Sequence, residues 1–195
     1  MIFLDVGAHR GQTLEEVVKA KYSWDRVFAF EPMTQEYEYI RDTYRTVSYV
    51  WTCNIGLLDE TGPQRLYGDN SKMEASIHST HKDADSSIVT ECFFVEASEF
   101  FGTYIPSNAE VIMKLNCEGS EVKILRNLLQ SGEINKVKNV MIDFDVRKCS
   151  GQEHEEAAII KEMKVAGFDR YSLCENVMQG PTHQDRVAKW LKGVL

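Results

Sequence analysis

Short apolar runs alternate with helical patterns along most of the chain. The apolar runs have the length and composition of buried strands and lie at residues 2–6, 26–30, 47–51, 91–95, 111–115, 140–144 and 168–173. The helical patterns lie at residues 13–21, 34–44, 98–104, 120–130, 153–166 and 186–195. Strands that alternate with helices predict an α/β fold, with a mostly parallel central sheet covered by helices on both faces.

The middle of the chain departs from this alternation. Residues 55–58 and 64–67 flank a polar turn and predict a hairpin. Residues 69–87 are polar with little periodicity, and loops of this length are usually functional or disordered. Because the alternation resumes beyond them, we predict one domain over residues 1–195 with a polar insertion at about 69–90.

Composition and charge narrow the classes of partner. The net charge is −8 and no basic stripe is present, which argues against a nucleic-acid substrate. No apolar run is long enough to span a membrane, and the first strand begins too early for a signal peptide. The five cysteines are odd in number and lack metal-site spacing, so we expect reduced thiols. We therefore expect a cytoplasmic protein with neither nucleic acid nor a membrane as partner.

A glycine loop joins the first strand to the first helix, with the sequence DVGAHRGQT over residues 5–13. Doubly wound folds bind their ligands at this place, beyond the carboxyl ends of the strands. Gly7 allows a sharp turn and Gly11 a tight passage into the helix. Thr13 with Glu16 predicts a capping box, and the helix start would offer free amides to an anionic group.

Glu31 closes the second strand, 24 positions after Gly7. An acid about 20 residues beyond a glycine loop is typical of a carboxylate that accepts hydrogen bonds from ribose hydroxyls. The alternative is a solvated acid that merely ends a strand. The run G-A-H-R-G does not fit the dinucleotide spacing G-x-G-x-x-G. Asp5 would repel a pyrophosphate, so the electrostatics favour S-adenosylmethionine over NAD as the cofactor.

Four segments together resemble the FkbM-type methyltransferase family: FLDVGAHRGQT, VFAFEP, CNIGLLDETGPQRLYG and IMKLNCEGSEVKIL. The resemblance covers residues 3–144. It implies a Rossmann-like class I methyltransferase fold, S-adenosylmethionine as methyl donor, and O-methylation, often of sugars or natural-product hydroxyls.

The resemblance also assigns roles to individual residues. Asp5, Gly7 and Gly11 would line the methionine part of the donor, and we assign Ala8 and Thr13 of the same loop to the cofactor as well. Glu31 would hold the ribose, and Asn54 would border the adenine. In the family an Asp usually stands at the position of Asn116, and Asn can act neither as a base nor as a charged partner for a cation.

Several polar residues are candidates for catalysis on a hydroxyl acceptor, which benefits from a general base. Glu118 and Asn116 follow the strand at 111–115, and Glu118 is the preferred acceptor-facing carboxylate, although a first-turn helix acid would look the same. Asp143 ends the strand at 140–144, and strand alternation predicts that Asp145 shares its face.

Two further hypotheses concern a loop base and a metal. His81, like His78, lies in the polar insertion and could reach the acceptor as a base, although loop histidines are usually solvated. A metal bound by Glu118 with these aspartates is an alternative to plain strand-end acids. We assign no metal ligands.

The function predicted from sequence is an S-adenosylmethionine-dependent O-methyltransferase that acts on a hydroxyl of a sugar or other small molecule. Asn116 motivates one alternative, a catalytically silent cofactor-binding or interaction module. A less favoured alternative is an NAD-dependent oxidoreductase, which the glycine spacing opposes.

Overall fold

A computed structural model describes residues 1–68 and 75–195. The strands in these residues are β1 (Ile2–Val6), β2 (Arg26–Phe30), β3 (Val50–Cys53), β4 (Gly56–Leu58), β5 (Gly62–Tyr67), β6 (Val89–Glu96), β7 (Val111–Leu115), β8 (Val137–Ile142) and β9 (Tyr171–Leu173). The helices are α1 (Leu14–Val17), α2 (Thr34–Tyr44), α3 (Ala97–Tyr104), α4 (Glu121–Ser131), α5 (Glu155–Val165), α6 (Cys174–Val177) and α7 (His183–Val194). Two short 3-10 helices span Glu133–Lys136 and Asp145–Lys148.

The main sheet has six parallel strands in the order β3-β2-β1-β7-β8-β9. From β1 the strands β2 and β3 follow one another toward one edge of the sheet. The strands β7, β8 and β9 then follow one another from the other side of β1 toward the opposite edge. This order reverses between β1 and β7, which is where doubly wound sheets open a crevice for ligands. The predicted α/β fold with a mostly parallel sheet is confirmed. The predicted bounds of β1, β2, β7 and α2 are also confirmed residue for residue.

Alternate residues of the strands feed two separate layers of core. Leu4 and Val6 of β1 pack on the face covered by α3, α4 and α5. Phe3 points to the opposite face, where it contacts Trp24 and Trp190 and packs with α7. All five residues of β1 are buried, as expected for a central parallel strand with helices on both sides.

The predicted hairpin of residues 55–58 and 64–67 is wrong. Both segments are strands, but β6 lies between them in a second sheet of order β4-β6-β5. β4 pairs with β6 in parallel and β5 pairs with it antiparallel. Local turn chemistry suggested that neighbours in sequence would pair, whereas a strand from beyond the insertion fills the place between them.

The polar insertion is partly structured. Residues 69–74 of it lie outside the described residues. After them, Ser76 forms a β-bridge with Tyr67, and His81 forms one with Cys149. The insertion therefore returns to the body of the domain, and its last part leads into β6.

The start of the first helix also differs from the prediction. α1 has only four residues, and Thr13 has helical backbone angles and makes no capping hydrogen bond. The Thr13 hydroxyl instead lies 3.1 Å from the Nε2 atom of His183, at the start of α7. The Glu16 carboxylate contacts Lys19, Lys21 and Tyr22, so the predicted capping box is absent.

No helix within residues 1–68 and 75–195 combines the length and the apolar composition that a membrane crossing requires.

Gly7 holds the glycine loop against the end of β7. Its φ is +78°, and a Cβ atom there would lie 1.9 Å from the backbone oxygen of Asn116. We expect Gly7→Ala to lower the free energy of unfolding by about 2–4 kcal/mol, because a backbone atom must move and the conformation is strained for an L residue. Urea unfolding followed by circular dichroism measures this loss.

Gly102→Ala is the matched control. Gly102 lies in α3 and nothing stands within 4 Å of its added Cβ. Its unfolding free energy should stay unchanged or rise by up to about 1 kcal/mol. Equal stabilities of the two variants would contradict the packing described for Gly7.

Candidate functional site

A cavity of about 240 Å³ opens where β1, β2 and β7 end. The paired register of Val6 with Phe30 and with Leu115 brings these three strand ends together. Five large apolar side chains form what we call the apolar wall of the cavity, and they are Phe30, Met33, Leu57, Leu66 and Phe94. The polar side chains in the lining are those of His9, Gln12, Thr13, Glu31, Glu36, Lys114, Asn116, Glu118, Ser120 and His183.

The amides of the glycine loop are already used within the protein. The amides of Gly7 and Ala8 donate to the Phe30 carbonyl at 3.1 and 2.9 Å. The His9 amide donates to Glu31 at 2.8 Å, and the Gly11 amide donates to the Ala8 carbonyl at 2.8 Å. With these four amides engaged and α1 so short, the loop does not provide the anion-binding helix start that the sequence predicted.

Asp5 lies beneath the loop and does not line the cavity. Its carboxylate is fully buried, 3.1 Å from the ammonium of Lys114. Burial raises the pKa of Asp5, and the Lys114 charge opposes that rise. The same ammonium donates to the Gly7 carbonyl at 2.7 Å. Asp5 therefore fixes the position of Lys114, and Lys114 in turn fixes the glycine loop. This pairing takes the place of the predicted contact between Asp5 and the donor.

The other cofactor residues predicted in the loop take different positions. Gly7, Ala8 and Thr13 line the cavity. Gly11 instead packs against α2, where a Cβ would lie 2.8 Å from the Tyr44 ring. The prediction that Gly11 eases the passage into the helix is compatible with this packing, but the structure does not place it against the ligand space.

Glu31 lines the cavity at the end of β2, as predicted. Its two carboxylate oxygens each accept one backbone amide, from His9 at 2.8 Å and from Met33 at 2.9 Å. Burial raises the pKa of Glu31 to about 7, and these two hydrogen bonds counteract the rise only in part. Each oxygen retains a lone pair that can accept a further bond.

Asn54 supports Glu31 from behind. Its side-chain amide donates to the backbone carbonyls of Glu31 and Pro32, both at 3.1 Å. It is not part of the cavity lining, whereas Gly56 and Leu57 just after it are. Asn54 therefore positions the acid from outside the cavity lining, and its predicted place beside the adenine stays a prediction.

The turn after β7 carries the two predicted catalytic residues that line the cavity, Asn116 and Glu118. Glu121 organises this turn by accepting the amides of Cys117 at 2.9 Å and Gly119 at 3.1 Å. Complete burial raises the pKa of Glu121 to about 7. The backbone of Glu118 has a φ of +52°. Residues other than glycine rarely adopt this conformation, and when they do it is often at functional sites.

His81 stands behind Glu118. The His81 side chain is buried, and its Nε2 atom lies 3.4 Å from a Glu118 carboxylate oxygen. It does not line the cavity. Burial lowers the pKa of His81 and raises that of Glu118 to about 8, with the charge of Asp145 adding to the latter effect. His81 is thus placed to orient Glu118, in place of the predicted direct contact with an acceptor.

Asp143 and Asp145 lie outside the cavity lining. β8 ends before both of them, so strand alternation does not set their directions. Asp143 pairs with Arg147 at 3.3 Å and Asp145 with Lys148 at 2.9 Å. Within the part of the chain that the structure describes, no group of three or more His, Cys, Asp or Glu side chains is arranged to hold a metal ion.

Sequence reasoning missed several residues of the cavity, among them Lys114, Glu36 and His183. A lysine inside the apolar run VIMKL was a signal, because lysine is rarely buried without a partner. Glu36 and His183 carried no comparable signal. They reach the cavity only because α2 and α7 pack beside the loop.

Comparisons with known proteins add family information. A family model described as a methyltransferase FkbM domain matches residues 5–170. Among solved structures, the chain is similar to a methyltransferase FkbM from Methylobacillus flagellatus KT, at 16% identity and a TM-score of 0.44. That similarity covers 66% of this chain and 29% of the other. The search of curated proteins gave no match.

The buried Glu121 predicts a specific pH dependence of stability. Its pKa is raised on folding, so the stability that it contributes is fully present below its unfolded pKa and is lost as the pH rises through about 7. Gln keeps an acceptor for the turn and carries no charge. Between pH 5 and pH 8 we expect wild type to lose roughly 2–3 kcal/mol of unfolding free energy relative to Glu121→Gln.

Urea unfolding at both pH values measures this difference. Glu110→Gln, at a largely exposed position, serves as the control and should follow wild type at both. A Glu121→Gln variant that loses stability in parallel with wild type would show that the carboxyl does not titrate as described.

Proposed function

The chain belongs to the FkbM methyltransferase family, and on that premise we propose that it transfers a methyl group from S-adenosylmethionine to a hydroxyl of a sugar or other small molecule. The observation that carries the proposal is the surplus of hydrogen-bond acceptors in the cavity. Both carboxylate oxygens of Glu36 and the amide oxygen of Asn116 are buried without a hydrogen-bond partner among the described residues.

These acceptors fit S-adenosylmethionine by chemistry. Buried acceptors require a ligand rich in donors and positive charge, because an unpaired buried polar group is costly. The ammonium, the sulfonium and the ribose hydroxyls supply both. The pyrophosphate of NAD would instead face several carboxylates, and the amides of Gly7, Ala8, His9 and Gly11 are engaged elsewhere. The apolar wall is suited to a flat adenine ring.

The size of the cavity also supports one ligand in it. A volume of about 240 Å³ lies just below the range of about 300 to 1,000 Å³ that is typical of small-molecule sites. It is suited to the donor rather than to donor and acceptor together. We infer that the acceptor approaches from the open side near Glu118.

A cytoplasmic location is also part of the proposal. All five cysteines have free thiols, which is typical of proteins in that compartment.

Binding of the demethylated product tests the cofactor half of the proposal. We expect isothermal titration to show sub-millimolar binding of S-adenosylhomocysteine to wild type. Glu31→Ala should weaken that binding by about tenfold to a hundredfold, because charge-assisted hydrogen bonds are lost. Glu110→Ala is the control and should bind like wild type. No binding by wild type, or tight binding of NADH in a fluorescence titration, would rule the proposal out.

The residues around Glu118 can support proton removal from a hydroxyl. When bound, S-adenosylmethionine supplies an electrophilic methyl group. Glu118 lines the cavity with its pKa raised to about 8 by burial, which suits a general base near neutral pH. His81 receives the Asp83 amide on Nδ1, which places its proton on Nε2, toward Glu118. In this proposal His81 orients the carboxylate and Glu118 accepts the proton.

A pH profile tests the proposed base. We expect methyl transfer to increase with pH and to level off above about 8, because only deprotonated Glu118 can accept a proton. Glu118→Gln should lower turnover by about 100-fold or more and remove this dependence. Transfer of a labelled methyl group to a panel of monosaccharides and small alcohols provides the measurement, and Glu60→Gln, on an exposed loop, is the control. An unchanged profile in Glu118→Gln would contradict the assignment.

Asn116 supports one second candidate, a module that binds the donor without turnover. A neutral amide lines the cavity there, at a position where the resemblance to the family implies an acid. This candidate is favoured if wild type binds S-adenosylhomocysteine but methylates no acceptor of the panel, while Asn116→Asp does. Robust turnover by wild type would exclude it.

A further inference from the structure

Glu36 is a second acid on the β2 side of the cavity. It lies in the first turn of α2 and lines the cavity, and its side chain is only 1% exposed. Neither carboxylate oxygen has a hydrogen-bond partner within residues 1–68 and 75–195. Its one ion pair among those residues is with the half-exposed guanidinium of Arg10, at 3.9 Å, which is too far for a hydrogen bond. The His9 ring also lies close enough to interact with the charge of Glu36.

A buried carboxylate in this condition needs an explanation. Burial removes its hydration, and a partner normally returns the lost hydrogen bonds. A loose ion pair with a half-exposed arginine returns little of that free energy. Since the carboxylate borders the cavity, the missing donors are best supplied by a ligand bound there.

Glu31 lies close by and has matching needs. The negative charge of Glu36 adds to the effect of burial in raising the pKa of Glu31 to about 7, so the two carboxyl groups influence one another. Each Glu31 oxygen already accepts one amide and has one lone pair left. Two acids with spare acceptor sites on one side of a cavity suit a ligand that has two neighbouring hydroxyl donors.

We propose that Glu36 and Glu31 together bind the vicinal ribose hydroxyls of the donor, one hydroxyl to each carboxylate, so that Glu36 is a specificity-determining residue of the site. This inference rests on the proposed function. Both acids flank the start of the apolar wall at Phe30 and Met33, so the sugar they hold would be the one that carries the adenine. Among the described residues, the unpartnered amide oxygen of Asn116 lies at the β7 side and is left for the amino-acid end of the donor.

Two ligands distinguish the ribose from the amino-acid end. S-adenosylhomocysteine has both, whereas 5′-methylthioadenosine keeps the ribose and adenine and lacks the amino acid. We expect Glu36→Gln to weaken binding of both ligands by the same factor, at least about tenfold, in isothermal titration. Glu38→Gln is the matched control on the exposed side of the same helix and should stay within about twofold of wild type.

Thermal unfolding of the free protein separates a ligand contact from a structural role. Glu36→Gln should melt at the same or a higher temperature than wild type, because it no longer buries a carboxylate without hydrogen bonds. A variant that melts lower and binds both ligands normally would assign Glu36 to the Arg10 pair and overturn the inference. Loss of affinity for S-adenosylhomocysteine alone would also overturn it, because the contact would then be to the amino-acid end.

Deoxynucleosides provide an independent test. We expect wild type to bind 2′-deoxyadenosine or 3′-deoxyadenosine at least about tenfold more weakly than adenosine. In Glu36→Gln, the affinity for one of the two deoxyadenosines should come within about twofold of the affinity for adenosine. The hydroxyl that this deoxyadenosine lacks is the one that Glu36 is proposed to bind. Equal differences in wild type and variant would overturn the inference.

Glu36→Asp keeps the charge on a side chain that is shorter by one methylene group. If Glu36→Gln does not fold, Glu36→Asp must show the same loss of affinity for the two ligands. Wild type that binds none of these ligands would remove the proposed function as well. Wild-type binding with unchanged variants removes only the role of Glu36.

Discussion

The site depends on one buried ion pair, between Lys114 in β7 and Asp5 in β1. These residues face each other in the register of the two central strands, at the point where the strand order reverses. The Lys114 ammonium spans from the Asp5 carboxylate to the Gly7 carbonyl, so one side chain joins both strands and the glycine loop. A buried charge is tolerable only when paired, which fixes the geometry of all three partners. The crevice at the switch point is therefore held by a polar contact inside an otherwise apolar sheet.

A second consequence of that arrangement is electrostatic. The lysine is engaged beneath the loop, while Glu31, Glu36 and Glu118 border the cavity. Burial raises the pKa of Glu31 and Glu118 toward or above neutrality, which makes these groups sensitive to what occupies the space between them. A ligand that donates hydrogen bonds and carries positive charge relieves this cost, whereas an anionic ligand increases it. Buried acids at this place therefore favour a cationic ligand with hydrogen-bond donors over an anionic one.

The small sheet and the returning part of the insertion complete the walls. Leu57, Leu66 and Phe94 come from the three strands of that sheet and form much of the apolar wall. Gly56 has no side chain because the Phe94 ring occupies its place, at 2.2 Å from where a Cβ would stand. On the opposite side, Ser76 bonds to the Glu118 carbonyl and His81 stands behind the Glu118 carboxylate. A polar segment without periodicity is thereby essential to the shape of the site.

The sequence alone determined the parts whose signals are local. Apolar runs with helical patterns between them predicted the parallel sheet, and the glycine loop with Glu31 predicted where the cavity lies. Asn116 and Glu118 followed from their position after a buried strand. The tertiary structure alone decided which side chains meet. It placed Asp5 under the loop and Glu36 beside Glu31, set His81 behind Glu118, and inserted β6 between β4 and β5. The reason is physical: strand and helix periodicities are written within a few neighbouring residues, whereas a buried charge finds its partner across distances in sequence that no local pattern encodes.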